Sequence, residues 1–218
     1  MQQTNKCKRS DNPIKDIEKD NESKQYRWLN ETELQRLWAA LGEYDNQSVA
    51  NAIRLLLLTG SRRNEVLHAT WDQFDLSKGI WIKPAHTTKH QKMEYLPLSS
   101  QALELLRAMK KDRSSDFLFP GKIPGKPLQD IKKAWATLCE RANLLGFRIY
   151  GLRETYASHL AESGLSFSVI DTLFGYSRRS YIIPLVSLTF ERLKQATEVF
   201  SKKIEKIASN TSSNQEPI

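Results

Sequence analysis

Cysteine is nearly absent from the chain. Cys7 and Cys139 are the two among 218 residues, they lie far apart with no CxxC pair, and His68, His86, His90 and His159 do not fall at zinc-ligand spacing. This argues against a disulfide framework and a structural zinc site, and no metal or cofactor is expected. Long apolar runs are missing too. Stretches such as Leu55 to Leu58 fall far short of the roughly 18 residues that a membrane helix needs, and the polar amino terminus has no signal-peptide core. The expectation is a soluble, cytoplasmic protein without membrane contact. No internal repeat is visible.

What the chain does have is positive charge. It carries 33 Lys and Arg against 25 Asp and Glu, a formal +8 with a pI near 9.4. Residues 1–30 hold 7 basic and 5 acidic groups and residues 201–218 hold 3 and 2, so residues 31–200 keep +5. A basic body attracts polyanions, although a charge of this size is also common among ordinary soluble proteins.

Apolar spacing divides the chain into three parts. Residues 1–27 and 208–218 are polar, with almost no large apolar side chains, and read as a linker and a disordered tail around a domain at 28–207. Asn30 and Glu33 form a capping-box pattern ahead of Leu34, Leu37, Trp38 and Leu41, so the first helix starts there. Further helices are expected over Ala50 to Leu58, Arg62 to Ala69, around Ala102 to Met109 and Ile131 to Leu138, from Leu152 to Ser163 and from Phe190 to Ile207. Ile80 and Ile82, then Tyr95, Leu96 and Leu98, suggest two strands joined by the basic stretch His86 to Lys92. The fold class is therefore mainly α with a small antiparallel β-sheet.

Two arginines stand beside glycine-bearing turns, in Thr59-Gly60-Ser61-Arg62-Arg63-Asn64-Glu65 and in Gly151-Leu152-Arg153-Glu154-Thr155. Such a turn lets a guanidinium approach a phosphate closely and hold two of its oxygens. Taken alone, each arginine could equally be a surface or salt-bridged residue, Arg62 with a nearby Glu for example.

The ordered series distinguishes these readings. Thr59-Gly-x-Arg-x-x-Glu65, then Thr88-Lys89 ahead of Leu96-Pro97-Leu98, then Leu152-Arg153-x-Thr-x-Ala-Ser158 resembles the catalytic domain of tyrosine recombinases, the phage-integrase family. Trp28-Leu29-Asn30 and Leu118-Phe119-Pro120 extend the match over nearly all of Trp28 to Ile207. The resemblance implies a tyrosine-recombinase catalytic-domain fold, double-stranded DNA as partner and roles in DNA integration and site-specific recombination. It implies Arg62 and Arg153 as a clamp on the scissile phosphate and Lys89 as general acid to the leaving oxygen. A plain phosphate contact is the other reading of Lys89, since His90 and Lys92 sit beside it, and Arg63 would add a DNA contact.

Several positions depart from the family pattern. Tyr150 stands where the family usually has histidine, and Tyr176 where it has histidine or tryptophan. Both keep a ring with a hydrogen-bonding edge and lose a group that titrates near neutral pH. The attacking tyrosine maps to Leu185, whether counted forward from Tyr176 or back from Leu188-Thr189-x-Glu191-Arg192. Leucine has no nucleophilic atom, so cleavage through this position is impaired. Tyr181, four residues earlier, is the alternative nucleophile, one helical turn or about 5.4 Å away. Residues 12–29 resemble the interdomain linker that follows the family's core-binding domain, and that domain itself is expected to be missing. The last helix offers a further reading, a non-catalytic module that pairs with itself or with a full-length recombinase.

Overall fold

The computed structural model describes residues 27–89, 91–175 and 186–213. Helix α1 (Glu31–Gly42) begins at the capping box anticipated from sequence. The Glu33 amide donates to Asn30 Oδ1 at 2.9 Å and the Asn30 amide to Glu33 Oε2 at 3.1 Å, which satisfies two donors that a helix start leaves open. Helix α2 (Gln47–Thr59) is the centre of the core. Leu55 and Leu57 are both fully buried although they point to different faces, so the second half of the helix is enclosed all round, and the helix packs against α1, α4 (Ser100–Lys111), α6 (Gly151–Glu162) and α8 (Val186–Ser213).

Short helix α3 (Arg63–Leu67) leads into an antiparallel sheet of β1 (Phe74–Asp75), β2 (Ile80–Lys83) and β3 (Glu94–Pro97), in that order. The expected hairpin is present, with β1 as an added edge. Trp81 and Lys83 are buried, while Ile80 and Ile82 are half-buried. Trp81 stacks on Phe74 with ring centroids 5.1 Å apart and donates from Nε1 to Gln73 Oε1 at 3.1 Å, so the largest side chain of the strand sets the register.

Helix α5 (Lys132–Arg141) and α6 fall where apolar spacing places them, and α7 (Phe167–Leu173) is a short addition. In α8 the apolar stripe Leu193, Ala196, Phe200, Ile204 and Ile207 is buried against the chain's own body, and the helix runs past Ile207 into the polar segment, to Ser213. Among the described residues no helix is long and apolar enough to cross a membrane.

Two side chains of α6 hold the entering chain. Thr155 Oγ1 accepts from the Leu29 amide at 3.0 Å, and the His159 ring nitrogen Nε2 lies 2.8 Å from the Leu29 carbonyl. On the other side of the ring, Nδ1 lies 2.9 Å from Lys203 Nζ of α8 and 3.1 Å from Glu162 Oε2.

Helix α2 stops at Gly60, whose φ of +58° is left-handed and whose amide donates to Leu56 O at 2.9 Å. A Cβ there would stand 2.6 Å from Tyr156 Cδ1 and 2.9 Å from Phe174 Cε1. Gly60→Ala is therefore expected to destabilise the fold by about 3 kcal/mol, from αL strain combined with overpacking, measured by urea denaturation. A change within about 0.5 kcal/mol would show that the turn does not need this backbone geometry.

Candidate phosphate-binding site

The break after α2 is built by its own side chains. Thr59 Oγ1 donates to Leu55 O at 2.6 Å and accepts from the Ser61 amide at 3.3 Å, so the chain turns sharply and α3 follows. Arg62 is the N-cap of α3 in extended conformation, and Glu65 folds back on it. Glu65 Oε1 takes Arg62 Nη1 at 2.7 Å, and Oε2 accepts from the Arg62 amide at 3.2 Å. The ion pair between Arg62 and a nearby glutamate is thus present, and it forms part of a larger cluster.

The second oxygen of Glu65 also takes Lys83 Nζ at 2.7 Å. The same ammonium donates to Ser61 Oγ at 3.0 Å and lies 4.4 Å from the Trp81 ring centroid. Lys83 is 3 % exposed and Glu65 5 %, so this is a buried ion pair with satisfied hydrogen bonds. Burial alone would push the Glu65 carboxyl up, but Lys83 and Arg62 outweigh it and hold the group below its ordinary value. For Lys83 burial dominates and lowers its value, with Glu65 opposing.

Arg153, in the first turn of α6, reaches the same place from the other side. Its Nη1 donates to Gly60 O at 2.6 Å and its Nη2 to Phe174 O at 3.1 Å, and Cζ lies 4.0 Å from the Phe174 ring centroid. One guanidinium therefore ties the end of α2, the start of α6 and the end of α7. Gly151 permits this packing, since a Cβ there would stand 2.5 Å from the Phe147 ring. Arg62, Lys83 and Arg153 are all bonded to residues 60–65, and Glu65 together with Glu94, the cross-strand neighbour of Lys83, are the carboxylates that Lys83 senses.

A cleft of about 250 Å³ beside this cluster is lined by Ser61, Arg63, Tyr150 and Arg153. Tyr150 is 55 % exposed at the start of α6. Lys89 and Lys92 lie in the connection between β2 and β3, whose base is closed by Thr88 Oγ1 donating to Lys92 O at 2.7 Å and accepting from the Lys92 amide at 3.1 Å. Lys89 is exposed and takes part in none of the cluster's bonds; the lysine that does is Lys83. His90, Tyr176, Tyr181 and Leu185 lie outside the described residues. The cluster brings Arg62 and Arg153 to the same turn and adds Lys83 and Ser61, which the sequence did not single out.

Comparison with known proteins agrees with this arrangement of motifs. The model of the phage integrase family matches residues 27–184. The chain belongs to the phage integrase family. It is 32 % identical over 140 residues to the prophage integrase IntZ of Escherichia coli K12, covering 63 % of this chain and 34 % of that one. To the integrase of Salmonella phage P22 it is 25 % identical over 166 residues, 71 % of this chain and 42 % of that one. The chain thus spans well under half the length of these two relatives. In fold it is similar to the Tn1549 transposon integrase in complex with circular intermediate DNA, with a TM-score of 0.61 at 18 % identity over 79 % of this chain and 62 % of that one. The family match and the fold likeness together give the described residues the architecture of a tyrosine-recombinase catalytic domain.

Glu65→Gln leaves Lys83 without its anion and is expected to cost about 3 kcal/mol near neutral pH, measured by urea denaturation. Glu65 titrates below its ordinary 4.5 in the folded state. Its contribution is complete above that value and is lost as pH falls through the folded value, so the gap between the native chain and the variant should close in acid. A gap that stays constant down to about pH 3 would contradict the assignment.

Proposed function

We propose that the chain binds duplex DNA through its phosphates, with Arg62 and Arg153 as the principal contacts and Lys89, Lys92, Arg63 and His90 as flanking ones. We infer equally that covalent strand cleavage by the family's route is impaired, because the nucleophile position is Leu185. The observation that carries the first part is the joint anchoring of Arg62 and Arg153 on the turn from Gly60 to Glu65. Cations fixed by buried partners lose little side-chain freedom on meeting an anion, which favours binding. The choice of ligand is supported by the Tn1549 transposon integrase, which shares this fold and is in complex with circular intermediate DNA.

Tyr150 and Tyr176 occupy the positions where the family usually places its rings. They offer hydroxyl groups for hydrogen bonding there, but not the proton transfer of a histidine near neutral pH. Binding and chemistry separate on this reading: phosphate recognition needs fixed positive charge, whereas cleavage needs an attacking atom within about 3–3.5 Å of phosphorus. Pairing with another recombinase through α8 would require its apolar stripe to leave the body of its own chain.

The test is fluorescence anisotropy with a mixed-sequence duplex between about 50 and 200 mM salt. Arg62→Ala and Arg153→Ala should each weaken binding and lower the salt slope by about one unit. Unchanged affinity and slope in both variants would overturn the phosphate assignment. On a nicked duplex, a denaturing gel should show no covalent protein–DNA adduct. An adduct that disappears in Tyr181→Phe would identify Tyr181 as nucleophile and overturn the impaired-cleavage reading.

A further inference from the structure

Lys83 is the least expected charge in the molecule. It sits on the inward face of β2, 3 % exposed, where an apolar side chain would continue the packing begun by Trp81. Burying an ammonium is expensive, and replacing a buried ion pair by packed apolar groups is often neutral or stabilising. Lys83 therefore calls for a local explanation other than stability, and its bonding partners supply one.

A carboxylate facing an arginine ordinarily takes the guanidinium as a fork, with two parallel N–H···O bonds. Glu65 could do this to Arg62, and the carboxylate would then hold the arginine through both oxygens. Here the two oxygens are divided. Oε2 holds Lys83 Nζ at 2.7 Å and the Arg62 amide at 3.2 Å, while Oε1 holds Arg62 Nη1 at 2.7 Å. A second bond from Lys83 to Ser61 Oγ, at 3.0 Å, fixes the ammonium in the turn that carries Arg62.

We propose that Lys83 is a positioning residue for Arg62: by holding the second oxygen of Glu65, it restricts Glu65's hold on the Arg62 guanidinium to one oxygen and so fixes the place from which the partly exposed Arg62 side chain meets a DNA phosphate. It has an electrostatic effect as well. Paired with Arg62 alone, Glu65 would cancel the charge that attracts the phosphate; shared with Lys83, it leaves the turn positive. This inference rests on the reading of Arg62 as a phosphate contact.

The experiment is a pair of double-mutant cycles read by anisotropy on the same mixed-sequence duplex, with circular dichroism confirming that each variant is folded. Lys83→Met should weaken binding about 10-fold, the effect of misplacing one charge-assisted hydrogen bond. The loss should vanish in the Arg62→Ala background and largely persist in the Arg153→Ala background. A lysine that merely supports the fold would weaken binding equally in both backgrounds. Such additivity, or an unchanged affinity in Lys83→Met alone, overturns the inference. Should Lys83→Met not fold, Lys83→Gln keeps an N–H donor for Glu65 at similar volume. The same cycles then predict a smaller loss, again confined to chains that retain Arg62, and additivity in both again overturns it. If Arg62→Ala alone leaves binding unchanged, the phosphate reading of Arg62 has failed, and that result is separate from the coupling.

Discussion

The Glu65 carboxylate is the point on which the site depends. It is buried, it accepts from Arg62 and from Lys83, and it also caps the backbone of Arg62 at the start of α3. Removing it would take from the buried Lys83 ammonium the carboxylate bonded to it, and from Arg62 a 2.7 Å ion pair. Such a cluster adds little net stability, because desolvation cancels much of the attraction between its charges. It does fix where each charge sits. Arg153 completes the frame by donating to the carbonyls of Gly60 and Phe174, so the cations are held by four helix ends and one strand. On the proposed reading the charges are organised before any phosphate arrives, which is the condition under which fixed charges act most strongly on an anion.

Much of the fold was legible in local chemistry. The capping box at Asn30, the stop at Gly60 and the stripe in α8 each follow from rules that operate within a few residues. The exceptions have physical causes. Helix α7 is seven residues with an exposed Phe167 at its start, too short for its period to stand out. Strand β1 is two residues, visible only through its pairing with β2. The inward face of β2 was ambiguous because Ile80 and Ile82 alternate as regularly as Trp81 and Lys83. What decides it lies elsewhere in the chain: Phe74 and Gln73 for Trp81, and Ser61 and Glu65 for Lys83.

The site shows the same division. Arg62 and Arg153 stand out in the sequence because each comes two residues after a glycine whose conformation or lack of Cβ the packing requires, Gly60 by its left-handed φ and Gly151 by its contact with Phe147. Lys83 does not, since a lysine in a strand reads as solvent-facing until its partners are known. The proposed loss of cleavage has a different basis, resting on the side chain at a single position, Leu185. A chain of this family can in principle keep the electrostatics that recognise a phosphate after losing the atom that attacks it.

The central claim, that Arg62 and Arg153 form one preorganised phosphate contact, is tested most directly by NMR. The Nε–Hε resonances of both arginines, assigned with Arg62→Lys and Arg153→Lys, would be followed while the native chain is titrated with a mixed-sequence duplex at low salt. The account predicts that both resonances shift along a single binding curve. Saturable binding with both resonances unmoved would contradict it.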